Sequence, residues 1–137
     1  MPAHTSCLTG SLGEMAFERH FFGAGCLIAA PRFDLFKVDF VLEWQNRLVK
    51  VQVKTMSHDK RANNYTVNIG TKRNGVRDQP YSADEVDYFG IINLDYDSIW
   101  LVPISATIGK RTLVWVDPQK RCWKKKAAFD WDQYLIN

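Results

Sequence analysis

The sequence predicts an α+β fold, a mixed central β-sheet flanked by helices and carrying added β-hairpins, all within one domain of 137 residues. Three observations predict it. A helix-compatible segment comes first, strand-like segments separated by turn signals follow, and one further helix-compatible segment closes the chain. No internal repeat, low-complexity tract or linker composition divides the chain, so residues 1–137 are taken as a single domain.

Ser11-Leu12-Gly13-Glu14 matches the S-x-x-E capping box, and Leu12, Met15, Ala16 and Phe22 recur at helical spacing. A helix is therefore expected from about Ser11 to Phe22, ended by Gly23 and Gly25. Cys26 to Ala30 is a short apolar run before Pro31, expected as a buried strand. Strands are expected at about 36–44 and 48–55, and again where Tyr65, Val67 and Ile69 alternate with Thr66 and Asn68. TKRNGVRDQP is read as a loop and YSADEVD as a turn or single helical turn. FGIINL and IWLVPI form a hairpin around Asp95-Tyr96-Asp97-Ser98, TLVWV is a last strand, RCWKKK a basic loop, and residues 127–136 a short closing helix.

Composition excludes several classes. With 46% hydrophobic and 24% charged residues the chain is globular in profile. Cys7, Cys26 and Cys122 are an odd set without CxxC spacing, which supports neither a zinc ribbon nor a disulfide framework and fits an intracellular, reducing compartment. No apolar run approaches the roughly 20 residues of a bilayer span, so no membrane association is expected. The dispersed His20 and His58 make no metal-ligand spacing, and Trp100, Trp115, Trp123 and Trp131 are read as core or interface residues. Net charge is only +3, but residues 56–77 hold five cations against one acid, residues 110–126 seven against one, and residues 78–97 six acids and no cation. Two basic segments folded onto one face suit a polyphosphate; a mixed, solvated surface is the alternative.

The hairpin KVDFVLEWQNRLVKVQVKT, residues 37–55, carries the chemistry. Period two puts Val38, Phe40, Leu42 and Trp44 with Val49, Val51 and Val53 on one face, and Asp39, Val41, Glu43, Lys50, Gln52 and Lys54 on the other. A two-residue turn at Asn46-Arg47 would pair Glu43 with Lys50, Val41 with Gln52 and Asp39 with Lys54. The polar face is either a solvated side or a site. Val41 among the polar residues points to partial cover, and a covered Asp beside Lys suits a hard cation held by Asp39 and the amide oxygen of Gln52. Lys54 could then help deprotonate water or stabilise charge on a phosphate. Glu14 is either the capping-box residue or a second carboxylate.

These residues resemble the PD-(D/E)XK nuclease core: Glu14 on a leading helix, Asp39 on one strand, Gln52-Val53-Lys54 on the next. The similarity is narrower to the branch associated with group I intron homing endonucleases, in which Gln stands at the (D/E) position. SLGEMAFERHFF resembles the opening helix of that branch, VKVQVKT its central strand, and VDYFGIINLDYDSIWLVPI its later hairpin. Val38 stands where the family name has Pro, and Gln52 removes one negative charge from the metal site.

The resemblance implies a restriction-endonuclease-like fold and Mg²⁺-dependent hydrolysis of double-stranded DNA, with Mn²⁺ as a substitute, in a bacterial or phage-encoded protein. Asp39, Gln52 and Glu14 would be metal ligands, with Lys54 completing the catalytic set. Cutting two strands implies self-association as a dimer or tetramer. Lys60, Arg61, Asn63, Asn64, Lys72, Arg73 and Arg77 suit a β-ribbon in a major groove, and Lys124, Lys125 and Lys126 suit phosphate contacts. A Holliday-junction resolvase or restriction-type nuclease on the same core, or a catalytically silent DNA-binding module, are the alternatives.

Overall fold

Strands with apolar residues on both faces must lie between two covering layers, and the runs FGII and IWLV are of that kind. The structure, a computed structural model, describes residues 5–33, 36–120 and 129–136. In chain order its elements are α1 (Thr5–Gly23), β1 (Ile28–Ala29), β2 (Phe40–Trp44), β3 (Arg47–Thr55), β4 (Ser57–Asp59), β5 (Asn64–Asn68), β6 (Thr71–Arg73), β7 (Val76–Gln79), β8 (Tyr88–Asn93), β9 (Ser98–Pro103) and β10 (Thr112–Trp115). The central sheet runs β1-β2-β3-β8-β9, with β3 and β8 parallel and the other pairs antiparallel. It is a mixed sheet in an α+β protein, as expected.

Period two then assigns the cores. Ile92, Ile99 and Leu101 join Phe40, Leu42, Val49, Val51 and Val53 beneath Phe17 and Phe21 of α1. Phe89, Ile91, Trp100 and Val102 face the other way, onto Val67, Ile69, Leu113 and Trp115 of a second sheet ordered β10-β5-β4. Trp100, Trp115 and Trp131 are all buried there, and Trp131 donates its indole N–H to Val114 O at 2.8 Å. Trp123 lies outside the described residues.

The helix begins at Thr5, so Ser11 sits in its interior and the capping box is not used. Helix elongation overrides a local capping preference worth about 1 kcal/mol. The residues facing the sheet are Phe17 and Phe21, whereas Leu12, Met15 and Phe22 are exposed. Phe17 lies directly on the β8 backbone: a Cβ at Gly90 would fall 2.4 Å from its ring.

The hairpin register differs from expectation by two residues. Phe40 pairs with Val51, Val41 with Lys50 and Glu43 with Leu48, so Glu43 and Lys50 are not opposite one another. The turn is Gln45-Asn46, both left-handed at φ 52° and 65°, and Arg47 opens β3 instead of occupying the turn. A shift of two preserves every face and slides each neighbour along the strand.

Other expectations fare differently. β1 is two half-exposed to exposed residues on the sheet edge, not a buried strand, because only the α1 side of the edge is covered. TKRNGVRDQP is not a loop but the β6–β7 hairpin, turning at Asn74-Gly75 with φ 51° and 80°. Within the described part of residues 127–136 the helix is a single 3₁₀ turn, Asp132–Tyr134. Among the described residues no helix is long and apolar enough to cross a membrane.

Replacing Gly90 by Ala forces the Phe17 ring away from the sheet. Urea unfolding should show a loss of about 1–3 kcal/mol, partly recovered by adding Phe17→Leu. An unchanged midpoint for Gly90→Ala would contradict this packing.

Candidate active site

Asp39 immediately precedes β2, where the hairpin ladder ends. Its backbone N–H donates to Val51 O at 2.9 Å, and its Oδ2 accepts the N–H of Val53 at 2.8 Å. A side-chain oxygen thus takes the place of a strand carbonyl, and the carboxylate is fixed against the backbone between Gln52 and Lys54. One further step in the observed register sets Asp39 opposite Gln52, not opposite Lys54. Since Val51 and Val53 belong to the core under α1, Gln52 and Lys54 turn to the other face, while the Asp39 carboxylate, just ahead of β2, sits against the Val53 N–H between the two.

Glu14 reaches this point because of its neighbour. Gly13 is buried against Thr55 at the end of β3, where an added Cβ would fall 1.9 Å from Oγ1. The helix can therefore lie close to the strand, and the next residue meets Asp39. Freed from capping, the Glu14 carboxyl hydrogen-bonds the Asp39 side chain and is pushed from its ordinary 4.5 up to about 7. Burial is the main cause, followed by that hydrogen bond and by charge repulsion from Asp39. Both acids line an open cavity of about 470 Å³ whose walls include Met15, Glu18, Arg19 and Phe22.

Lys54 extends along the opposite side of the hairpin. Its Nζ donates to Gly70 O at 3.2 Å and lies 5.1 Å from the centroid of the Tyr81 ring. Lys37, two residues before Asp39, bonds Thr71 Oγ1 at 3.0 Å and Lys72 O at 3.2 Å. Two lysines thus grip the base of the β6–β7 hairpin. Neither Lys37 nor Tyr81 stands out in the sequence, because Lys37 acts on a hydroxyl and a carbonyl of β6 and Tyr81 through its ring face, contacts that follow no sequence spacing.

Donor chemistry bears on a metal. Two carboxylates sharing one cavity are oxygen donors of the kind that suits a hard divalent cation, and Gln52 is the register neighbour of Asp39 on β3. The upward shift of Glu14 comes first from burial and only in lesser part from the charge of Asp39, and a cation would offset that lesser part. Among the described residues no three His, Cys, Asp or Glu side chains cluster, so the protein's own donors would be few and water would complete the shell.

The expected DNA-facing residues are spread over two hairpins. Lys60, Arg61 and Asn63 are exposed in the β4–β5 connection, and Asn64 begins β5 half-buried. Lys72 and Arg77 are exposed on the β6–β7 hairpin, whereas Arg73 bonds Glu85 at 2.5 Å and Pro80 O at 3.2 Å. Lys124, Lys125 and Lys126 lie outside the described residues.

Comparisons with known proteins bear on the family and the fold. A family model described as PD-(D/E)XK endonuclease matches residues 4–134. The solved structure of a bacterial homing endonuclease, I-Ssp6803I, superposes with a TM-score of 0.78 at 22% identity, covering 93% of this chain and 86% of that one. The restriction-endonuclease-like fold is thereby shown. A comparison with curated protein sequences finds no significant match.

The shift at Glu14 has a consequence for stability. An acid whose folded pKa is raised is held protonated more tightly by the folded chain, so stability falls as pH rises from 4.5 to about 7 and flattens above. Glu14→Gln should remove that slope: in metal-free thermal melts its advantage over wild type grows across this window and closes by pH 4.5. Parallel curves for the two proteins would contradict the carboxylate contact.

Proposed function

Since the chain belongs to the PD-(D/E)XK endonuclease family, we propose that it is a sequence-specific, Mg²⁺-dependent endonuclease of double-stranded DNA, of the intron-homing type. The single observation that carries this reading is the Glu14–Asp39 carboxylate pair held against β3 at Val53, between Gln52 and Lys54. Its homing character is supported by the likeness to a bacterial homing endonuclease and by Gln52 at the (D/E) position.

Asp39, Glu14 and the Gln52 amide oxygen would hold the ion. A bound divalent cation there supplies positive charge to a phosphoryl oxygen and a water of lowered pKa. Asp39, locked to the Val53 N–H, keeps its carboxylate in one orientation without substrate-induced movement. Lys54, on the strand whose Val53 N–H holds Asp39, would bring a positive charge to the phosphate as negative charge develops there. Glu14, partly protonated near neutrality in the free protein, adds its full charge once a cation is present.

Substrate binding is assigned to the basic hairpins. Lys60, Arg61, Asn63 and Asn64 near the β4–β5 connection, with Lys72, Arg73 and Arg77 on the β6–β7 ribbon, are the protein's candidates for groove and phosphate contacts. Arg73 is the least free of them, since Glu85 already holds its guanidinium. A duplex has two antiparallel strands and each chain one site, so a two-fold dimer, or a tetramer of such dimers, is the proposed working form.

The neutral Gln52 favours one competing reading, a DNA-binding module without chemistry. Incubation with supercoiled plasmid separates the two. With Mg²⁺ the wild type should nick or linearise the DNA, EDTA should stop it, and Asp39→Ala and Lys54→Ala should each lose on the order of 10²-fold or more in rate. Binding without cleavage in either Mg²⁺ or Mn²⁺ would favour the silent module. Equal cleavage by wild type and Asp39→Ala would remove the site assignment, and preference for a four-way junction over linear duplex would favour a resolvase.

A further inference from the structure

The ammonium group of Lys54 ends between two surfaces that have little freedom to move. One is the Gly70 carbonyl, which accepts its hydrogen bond at 3.2 Å. Gly70 is held by backbone packing: a Cβ there would fall 2.8 Å from Asp78 Cα. The other is the Tyr81 ring, whose centroid lies 5.1 Å from Nζ. Tyr81 is half-buried and packs edge-to-face on Phe89, with centroids 5.3 Å apart and planes at 81°. Phe89 is itself buried and is the register partner of Gln52. The ring is therefore anchored through the same strand pair that presents the proposed metal ligand.

A lysine side chain is a flexible stem with a point charge at its end, and left in water it samples many rotamers. An aromatic face attracts an ammonium through the negative potential over the ring, and the attraction grows where water is excluded. The phenolic oxygen is not needed for that. We infer that Tyr81 is a positioning residue for the proposed cleavage: its ring face, with the Gly70 carbonyl, holds the Lys54 ammonium in the place from which it acts on the phosphate. The inference rests on the reading of Lys54 as the charge-stabilising group. It adds a residue that lies outside the D…QxK pattern, in the segment joining the β6–β7 ribbon to β8.

The test replaces Tyr81 by Phe and by pentafluorophenylalanine, which keeps the ring's shape and reverses the charge on its face. Rates are measured on supercoiled plasmid with Mg²⁺ at saturating DNA. Tyr81→Phe should stay within about twofold of wild type, while the fluorinated ring should slow cleavage by about tenfold or more with DNA half-saturation unchanged. In NMR spectra of the free protein, the Lys54 Hε protons should show the upfield shift of a nearby ring face in wild type and Tyr81→Phe, and lose it in Tyr81→Leu. Equal rates for the Phe and pentafluoro variants, or a Lys54 signal indifferent to Tyr81→Leu, would overturn the assignment of Tyr81 alone. A wild type that cuts no DNA would withdraw the nuclease reading and the role of Tyr81 with it.

Discussion

The hydrogen bond from the Val53 N–H to Asp39 Oδ2 is the contact on which the site depends. It is made where β2 gives out and β3 continues, so a side chain completes what the backbone ladder leaves open. That placement fixes the carboxylate at the level of Gln52 and Lys54. It also leaves the acid accessible from the helix side, and Gly13 lets α1 come close enough for Glu14 to meet it.

The arrangement sets local stability against chemistry. Two carboxylates brought together without a cation repel, and burial raises the cost; the upward shift of Glu14 records both. The helix carries exposed Met15 and Phe22 around the same cavity, while its sheet-facing side is filled by Phe17 and Phe21. Interactions that stabilise the fold thus lie behind the site, in the core beneath α1, and the site itself holds groups that want a further partner. Local rules broken at one place and satisfied around it are what a functional site looks like.

Much of the fold was legible because alternation survives errors of register. The faces of β2 and β3 were readable from Phe40, Leu42, Val49, Val51 and Val53, and a turn misplaced by one residue changed the neighbours but not the faces. Glu14 and Asp39 were readable as a pair through their family pattern, and they meet. What was not legible depends on contacts between distant segments. The helix start was drawn to Ser11 by a capping box that elongation overrode, and TKRNGVRDQP concealed a short hairpin rich in charge and lacking apolar alternation. Tyr81 and Lys37 act through ring faces and carbonyls, which leave no spacing in a single sequence.

The central claim is that Asp39, positioned by Val53, is the main ligand for a divalent cation shared with Glu14. Titration of the metal-free protein with Mn²⁺, followed by electron paramagnetic resonance, tests it without any DNA present. Wild type should remove free Mn²⁺ from solution at one site per chain, and Asp39→Asn, which keeps an oxygen for the Val53 N–H but loses the charge, should bind at least about tenfold more weakly. Equal binding by the two proteins would contradict the account.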